Sequence, residues 1–221
     1  ISGTHTLAIA LFGILRPGDL LCCVTGAPYD TMEEMIGIRP SPGSLAEFGI
    51  RYAQCDLTSN PESHWRDTLA RCFGDTLPRV VLIQRSRGYK RVRSIGEPEI
   101  AHMIACVRSV APACKVVVDN CYGDLLETRE PTMDGADLVA SSFMKNMGAG
   151  IAPTGGYVVG PREAVSHRPP VATRWERGRR CRLLQPATQV RALVRKSDRT
   201  SGLPRHSCAV SSLPLLCSSR C

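Results

Sequence analysis

Four short runs constrain this chain most: "DLLCCV" (19–24), "RVVLIQ" (79–84), "KVVVDN" (115–120) and "DLVASS" (137–142). Each holds an unbroken apolar stretch of three to five residues and does not alternate, which is the pattern of a strand covered on both faces. Such strands belong to largely parallel sheets with a helix layer on each side. The intervening segments supply the helices. Leu7, Ala8, Leu11 and Leu15 mark a helix over 4–15, stopped by Pro17-Gly18. A shorter helix follows over 31–36, capped by Asp30 or Thr31. Asn60 and Pro61 open another as N-cap and first-turn proline, with Trp65, Leu69 and Cys72 on one face and Gly74 at its end. Ile100, Ile104, Val107 and Val110 stripe a fourth over 97–110. "RYAQCDL" (51–57) reads as a further strand, and Tyr157 to Val159 as another after tight backbone at 148–156. The fold class expected is α/β, with a mostly parallel, mixed sheet and helices on both faces.

The net charge of +8 suggests a polyanionic partner until it is located. Residues 161–221 hold 13 Lys+Arg against 3 Asp+Glu, a net of +10, whereas residues 1–160 hold 15 against 17, a net of −2. The basic part mixes Arg, Ser, Pro and Cys without a helical or strand period, so 161–221 is expected to be poorly ordered. Its one aromatic, Trp175, is a poor stacking platform for bases, and no nucleic-acid partner is expected. His206, Cys208, Cys217 and Cys221 lack the paired C-x2-C spacing of common zinc modules, so no metal site is expected either. The abrupt change of composition fits a shifted reading frame or a mispredicted exon.

The cysteines at 22, 23, 55, 72, 106, 114 and 121 fall mostly in apolar runs and read as small buried hydrophobes, not as a disulfide framework. That points to a reducing compartment, cytoplasmic or an organelle matrix. No apolar run approaches a membrane span, and no membrane association is expected. The chain opens on "ISGTHTLAIALFGIL" without an initiator Met, so a beginning, and a targeting signal with it, is expected to be missing.

Several polar residues fall at one edge of the expected sheet. Lys145 lies just past the strand 137–142, where α/β sheets hold ligands, although a lysine in a solvated loop would look the same. Asp119 ends an almost wholly apolar strand, where an ionised carboxylate is costly without a cation; capping the next turn is the plainer alternative. Ser2, Gly3 and Thr4 precede a helix and could present N–H groups and hydroxyls to an anion, or serve as a simple N-cap. Tyr29 lies on the loop after a strand. One ligand satisfies the group together: pyridoxal 5′-phosphate needs a lysine for its aldehyde, an acid at its ring nitrogen, a phosphate cradle and a flat group on its face.

On these residues the chain resembles the fold-type I pyridoxal-phosphate enzymes of cysteine and methionine metabolism. Within them it is most similar to the methionine gamma-lyase-like proteins, also called aluminium resistance proteins. The matching stretches are "SGTHTLAIALFGILRPGD", "TGAPYDTMEEMIGIR", "GSLAEFGI", "IQRSRGY", "VVVDNCYGDLLETREPTMDGADL" and "KNMGAGIAPTGGYVVG", which together span nearly all of 1–160. The resemblance implies that 1–160 is a cofactor-binding large domain, incomplete at its N-terminus, and that 161–221 is a tail outside it. It assigns Lys145 as the Schiff-base lysine, Asp119 as the partner of the ring nitrogen and Tyr29 as the tyrosine stacked on the ring. Ser2, Gly3 and Thr4 fall at the phosphate turn, and Ser142 is the phosphate serine. Met144 departs from the serine-plus-threonine pattern of better-known gamma-lyases and leaves one phosphate contact unassigned. Arg85 and Arg87 in "QRSRGY" are candidates for an anion contact, while "KRVRSI" after it departs from the family form. The implied activity is carbon–sulfur lyase chemistry on a sulfur amino acid, α,γ-elimination giving a thiol, ammonia and a 2-oxo acid. Cystathionine β-lyase or γ-synthase chemistry uses the same apparatus. The resemblance implies a homodimer or homotetramer for the complete protein, and a catalytically inactive fragment of such an enzyme is the further alternative.

Overall fold

The computed structural model describes residues 2–86, 93–148, 150–161 and 165. Arg87, and the tail apart from Pro161 and Val165, lie outside the described residues. In chain order the elements are α1 (Gly3–Ile14), β1 (Leu20–Cys23), α2 (Asp30–Ile36), β2 (Arg51–Gln54), α3 (Trp65–Phe73), β3 (Val80–Gln84), α4 (Glu97–Val110), β4 (Lys115–Asp119), β5 (Leu138–Ser142) and β6 (Gly156–Val159). The strands form one sheet in the order β2-β1-β3-β4-β5-β6. Every neighbouring pair is parallel except β5 and β6, which run antiparallel. This is the mixed, mostly parallel sheet expected, with a layer of helices on each face.

Strand alternation sorts the core into two layers. Leu21 and Cys23, Leu82, Val117 and Leu138 face the side that packs on Leu7 and Leu11 of α1 and on Met32 and Ile36 of α2. Cys22, Val81, Ile83, Val116 and Val118 face the other side, which packs on Leu69 and Phe73 of α3 and on Ile100, Ile104 and Val107 of α4. Burial on both faces is why β1, β3 and β5 carry no polar alternation. The edge strand β2 is partly exposed and correspondingly polar. Val165 lies beyond the boundary expected at Gly160, donates its N–H to the Pro161 carbonyl and packs on the α1 side of the core.

The expected boundaries hold closely, and the helix over 97–110 is found over those residues. Two details differ. Asn60 and Pro61 do not open α3: Pro61 leads into a 3-10 turn, Glu62–His64, and the α-helix begins at Trp65. The cause is Trp65, whose indole N–H donates to the carbonyls of Leu57 (2.7 Å) and Asn60 (3.2 Å), so that the approach folds back under the ring. Likewise α2 begins after Tyr29, and no side-chain cap bond is made there.

Ile100 is fully buried between α4 and the sheet. Ile100→Ala is expected to cost about 2–5 kcal/mol through lost transfer energy and the cavity left behind. A urea titration would show this as a lower midpoint with an unchanged slope.

Candidate functional site

The C-terminal ends of the parallel strands carry the polar residues, as the chain direction requires. Asp119 closes β4 between Gln84 of β3 and Ala140 of β5, and is 1% exposed. Its Oδ1 accepts the N–H of Cys121 at 3.1 Å. No Arg or Lys forms an ion pair with it among the described residues. Burial pushes the carboxyl above the ordinary aspartate value, opposed by the thiol and N–H of Cys121, the charge of Lys145 and the Gln84 side chain. Burial therefore disfavours an ionised Asp119, and the charge of Lys145 offsets part of that cost.

Lys145 follows β5 by a tight turn in which its N–H donates to the Ser142 carbonyl at 3.3 Å. Its ammonium lies 3.9 Å from the centroid of the Tyr122 ring, a cation–π arrangement. Tyr122 takes a left-handed φ of 68°, uncommon for a side chain of its size and a mark of a constrained turn. Asn146, beside the lysine, holds this turn by donating to the carbonyls of Tyr122 and Asp124, each at 3.1 Å.

On the other side, Tyr29 and Thr4 meet: the Thr4 hydroxyl lies 3.3 Å from the Tyr29 phenol and 3.0 Å from the Thr31 hydroxyl. The phenol is held well above the usual tyrosine range, first by burial and then by the nearby Asp119 carboxylate. Ser2 is the N-cap of α1: its Oγ accepts the His5 N–H at 3.3 Å. The capping reading of Ser2 therefore applies, while the first-turn N–H groups of Gly3 and Thr4 have no helical acceptor and sit at the positive end of a twelve-residue helix. A Cβ on Gly3 would lie 3.1 Å from Cβ of Ser142 and 3.4 Å from Sγ of Cys121, so glycine lets the helix end close on β5. Ser142 accepts the Met144 N–H at 3.2 Å and donates to the Gly155 carbonyl at 3.4 Å.

Arg85, considered for an anion contact, is engaged within the protein. It is 5% exposed, and its guanidinium donates to Asn120 Oδ1 (3.1 Å), the Gly123 carbonyl (3.3 Å) and Glu127 Oε1 (2.5 Å). Arg85 therefore holds the 120–127 segment, the turn that carries Cys121 and Tyr122 to the cluster. Gly123 is required there, because a Cβ would fall 2.2 Å from the guanidinium. Arg85→Ala is expected to lower stability by about 1–3 kcal/mol, the cost of unmaking charged hydrogen bonds. Steady-state kinetics beside a urea titration would check this: a raised KM at unchanged stability would instead mark an anion contact.

Sequence reasoning missed Cys121 and Tyr122 as members of the cluster. Cys121 lies against Ser141, Asp119 and Gly3, and burial with the Asp119 carboxylate pushes its thiol up to about 12, so it remains protonated. The signal available was their position directly after the strand-end acid in "DNCYGD".

The donor set fits pyridoxal 5′-phosphate on three grounds of this structure. A buried carboxyl has no cationic ion-pair partner among the described residues, a lysine stands within electrostatic reach of it, and a glycine-opened helix N-terminus faces a serine at the neighbouring strand end.

The chain is 47% identical over 173 residues to the protein YnbB of Bacillus subtilis, covering 76% of this chain and 41% of that one. It is 40% identical, with a TM-score of 0.67, to a carbon-sulfur lyase involved in aluminium resistance from Clostridium novyi, covering 76% of this chain and 40% of that one. The fold is shared more distantly with YhfS of Escherichia coli, a pyridoxal-5′-phosphate dependent protein, at 20% identity, a TM-score of 0.55 and coverage of 74% and 39%. The chain thus spans about two-fifths of the length of the relatives it matches. The sequence profile of the family described as Methionine gamma-lyase matches residues 1–174, a stretch that contains every strand and helix above and the whole Asp119–Lys145 cluster, and the chain belongs to that family.

Proposed function

We propose that the complete protein is a pyridoxal-phosphate-dependent carbon–sulfur lyase that releases a thiol, ammonia and a 2-oxo acid from a sulfur amino acid by α,γ-elimination. The observation that carries this reading is the buried Asp119 within the field of Lys145, with Tyr29 on the same edge of the sheet. When bound, the cofactor supplies an aldehyde that captures amino groups and a ring that withdraws electrons. Lys145 would hold it through Nζ and, once free, take the proton from Cα of the substrate. Asp119 would keep a proton on the ring nitrogen, because an adjacent negative charge favours the cationic form. The N–H groups of Gly3 and Thr4 and the hydroxyls of Thr4 and Ser142 would hold the phosphate. Tyr29 would lie against the ring. Its phenol, kept protonated by burial, can donate to the sulfur leaving Cγ.

Assembly as a homodimer or homotetramer belongs to the same proposal. Tyr122, Leu125, Leu126, Met144, Met147 and Ile151, on the two segments flanking Lys145, are 41–88% exposed, more apolar surface than a finished site leaves to water. No helix among the described residues is long and apolar enough to cross a membrane. We place the protein in the cytoplasm or an organelle matrix, where its seven described cysteines, all free thiols, would persist.

The test is a product assay on the complete, cofactor-loaded protein with methionine, homocysteine, cysteine and cystathionine. Methionine or homocysteine should yield a thiol or sulfide and 2-oxobutanoate. Turnover of cystathionine to homocysteine and pyruvate would move the reading to β-elimination, and no turnover of any of the four would overturn it.

A further inference from the structure

The sheet face opposite the Lys145 cluster carries a second concentration of reactive groups. Cys22 in β1 points to the α3–α4 layer, whereas its neighbours Leu21 and Cys23 face α1 and α2. Cys55 follows β2 and extends its ladder by donating its N–H to the Cys23 carbonyl at 2.9 Å. Cys72 lies in the last turn of α3, which packs over these strands. The three sulfur atoms all lie within 4.8 Å of one another, and Sγ of Cys22 and Cys72 are 3.4 Å apart.

We propose that Cys22, Cys55 and Cys72 form a three-sulfur site for a soft metal ion, of which copper(I) is the type. Three sulfurs bound at about 2.3 Å around one ion stand about 4 Å apart, within the spread found here. The donor set selects the ion. Thiolate sulfur favours copper(I) and zinc over hard cations. Zinc in a closed site takes four ligands, and the cluster holds only these three Cys, His, Asp or Glu side chains among the described residues. The nearest acidic neighbour in sequence, Asp56, is occupied: its carboxylate accepts from the Thr58 N–H and hydroxyl and from the Ser59 hydroxyl. Copper(I) is satisfied by three sulfurs. The surroundings suit it as well, since Cys22 is buried against the apolar layer of Leu57, Leu69 and Phe73, while Cys55 and Cys72 are half-buried and give an ion a way in. Thiol protons displaced by the ion pass to solvent, so binding strengthens as pH rises. The site is independent of the lyase reading, because the sheet separates it from the residues that reading uses.

The test is an anaerobic titration of the full 221-residue chain with copper(I), in competition with a chromophoric copper(I) chelator, followed by X-ray absorption at the copper edge. One tightly held ion per chain, with three sulfur neighbours, is the expected result. Cys55→Ser and Cys72→Ser, at half-buried positions, should each weaken binding by about a hundredfold or more, since even an outer partner of a metal ligand is worth 10–100-fold. Joint replacement of Cys181, Cys208, Cys217 and Cys221 by serine should leave affinity unchanged. Circular dichroism establishes that each variant is folded. Should a single-site variant fail to fold, the sulfur count in the parent chain and the fourfold variant still decide. Loss of copper to the chelator in the parent chain, unaltered affinity in folded Cys72→Ser, or loss of the ion in the fourfold variant would each overturn the proposal.

Discussion

Lys145→Ala in the complete, cofactor-loaded protein is expected to reduce thiol release by about 10^3-fold, within the range that a positioned proton-transfer group contributes. The expectation rests on place as well as residue type. Of the two lysines among the described residues, Lys115 begins β4 and is paired with Asp137 at 2.8 Å, at the opposite end of that strand from Asp119. Lys145 alone of the two reaches Asp119 and Cys121 electrostatically. Being only partly buried and held by a cation–π contact, its side chain can be removed with little loss of packing. A near-unchanged urea midpoint should therefore accompany the lost activity. Borohydride reduction of the parent protein and mapping of the labelled peptide give an independent measurement, and attachment at any other lysine would refute the assignment.

Asp119→Asn is expected to separate activity from stability in opposite directions. Turnover should fall about a hundredfold or more, as when one strong electrostatic element of a site is removed. The folded protein without cofactor should gain. A carboxyl whose folded-state value lies above its unfolded value costs stability as pH rises past the unfolded value, about 3.9, and the cost is complete above the raised folded value. Asparagine keeps an oxygen to accept the Cys121 N–H and carries no charge, so it escapes that cost. Urea midpoints without cofactor should favour Asp119→Asn at pH 7 and converge with the parent as pH falls towards about 4. A variant less stable than the parent at pH 7 would mean that Asp119 already has a compensating cation, and the carboxyl would no longer call for one from a ligand.

Much of this was legible because it is local. Unbroken apolar stretches of three to five residues, the stripe of α4 and the glycine after α3 are set by neighbours in sequence, and they were found where their periodicity placed them. The positions of Asp119 and Lys145 just at or past strand ends follow from the same runs, and parallel strands bring such ends to one edge. Tyr29 was legible only as a loop residue after β1, and its place at the cluster came from the family resemblance.

The tertiary structure decided what depends on residues far apart in the chain. Nothing in a fully apolar strand states its neighbours, so the insertion of β1 between β2 and β3 and the reversal of β6 emerge only from packing. Arg85 reads in "QRSRGY" as a candidate anion contact, and nothing in that stretch states that it packs against the 120–127 turn, where Glu127, 42 positions away, offsets its desolvation. Tyr122 became the ring beneath Lys145 because that turn forced a left-handed backbone. Cys22, Cys55 and Cys72 carry no metal spacing, and they meet because a strand, a strand end and a helix from separate stretches pack on one face. Hydrophobic periodicity is written along the chain, whereas the pairing of charges and sulfurs is a property of surfaces that exist only once the layers close.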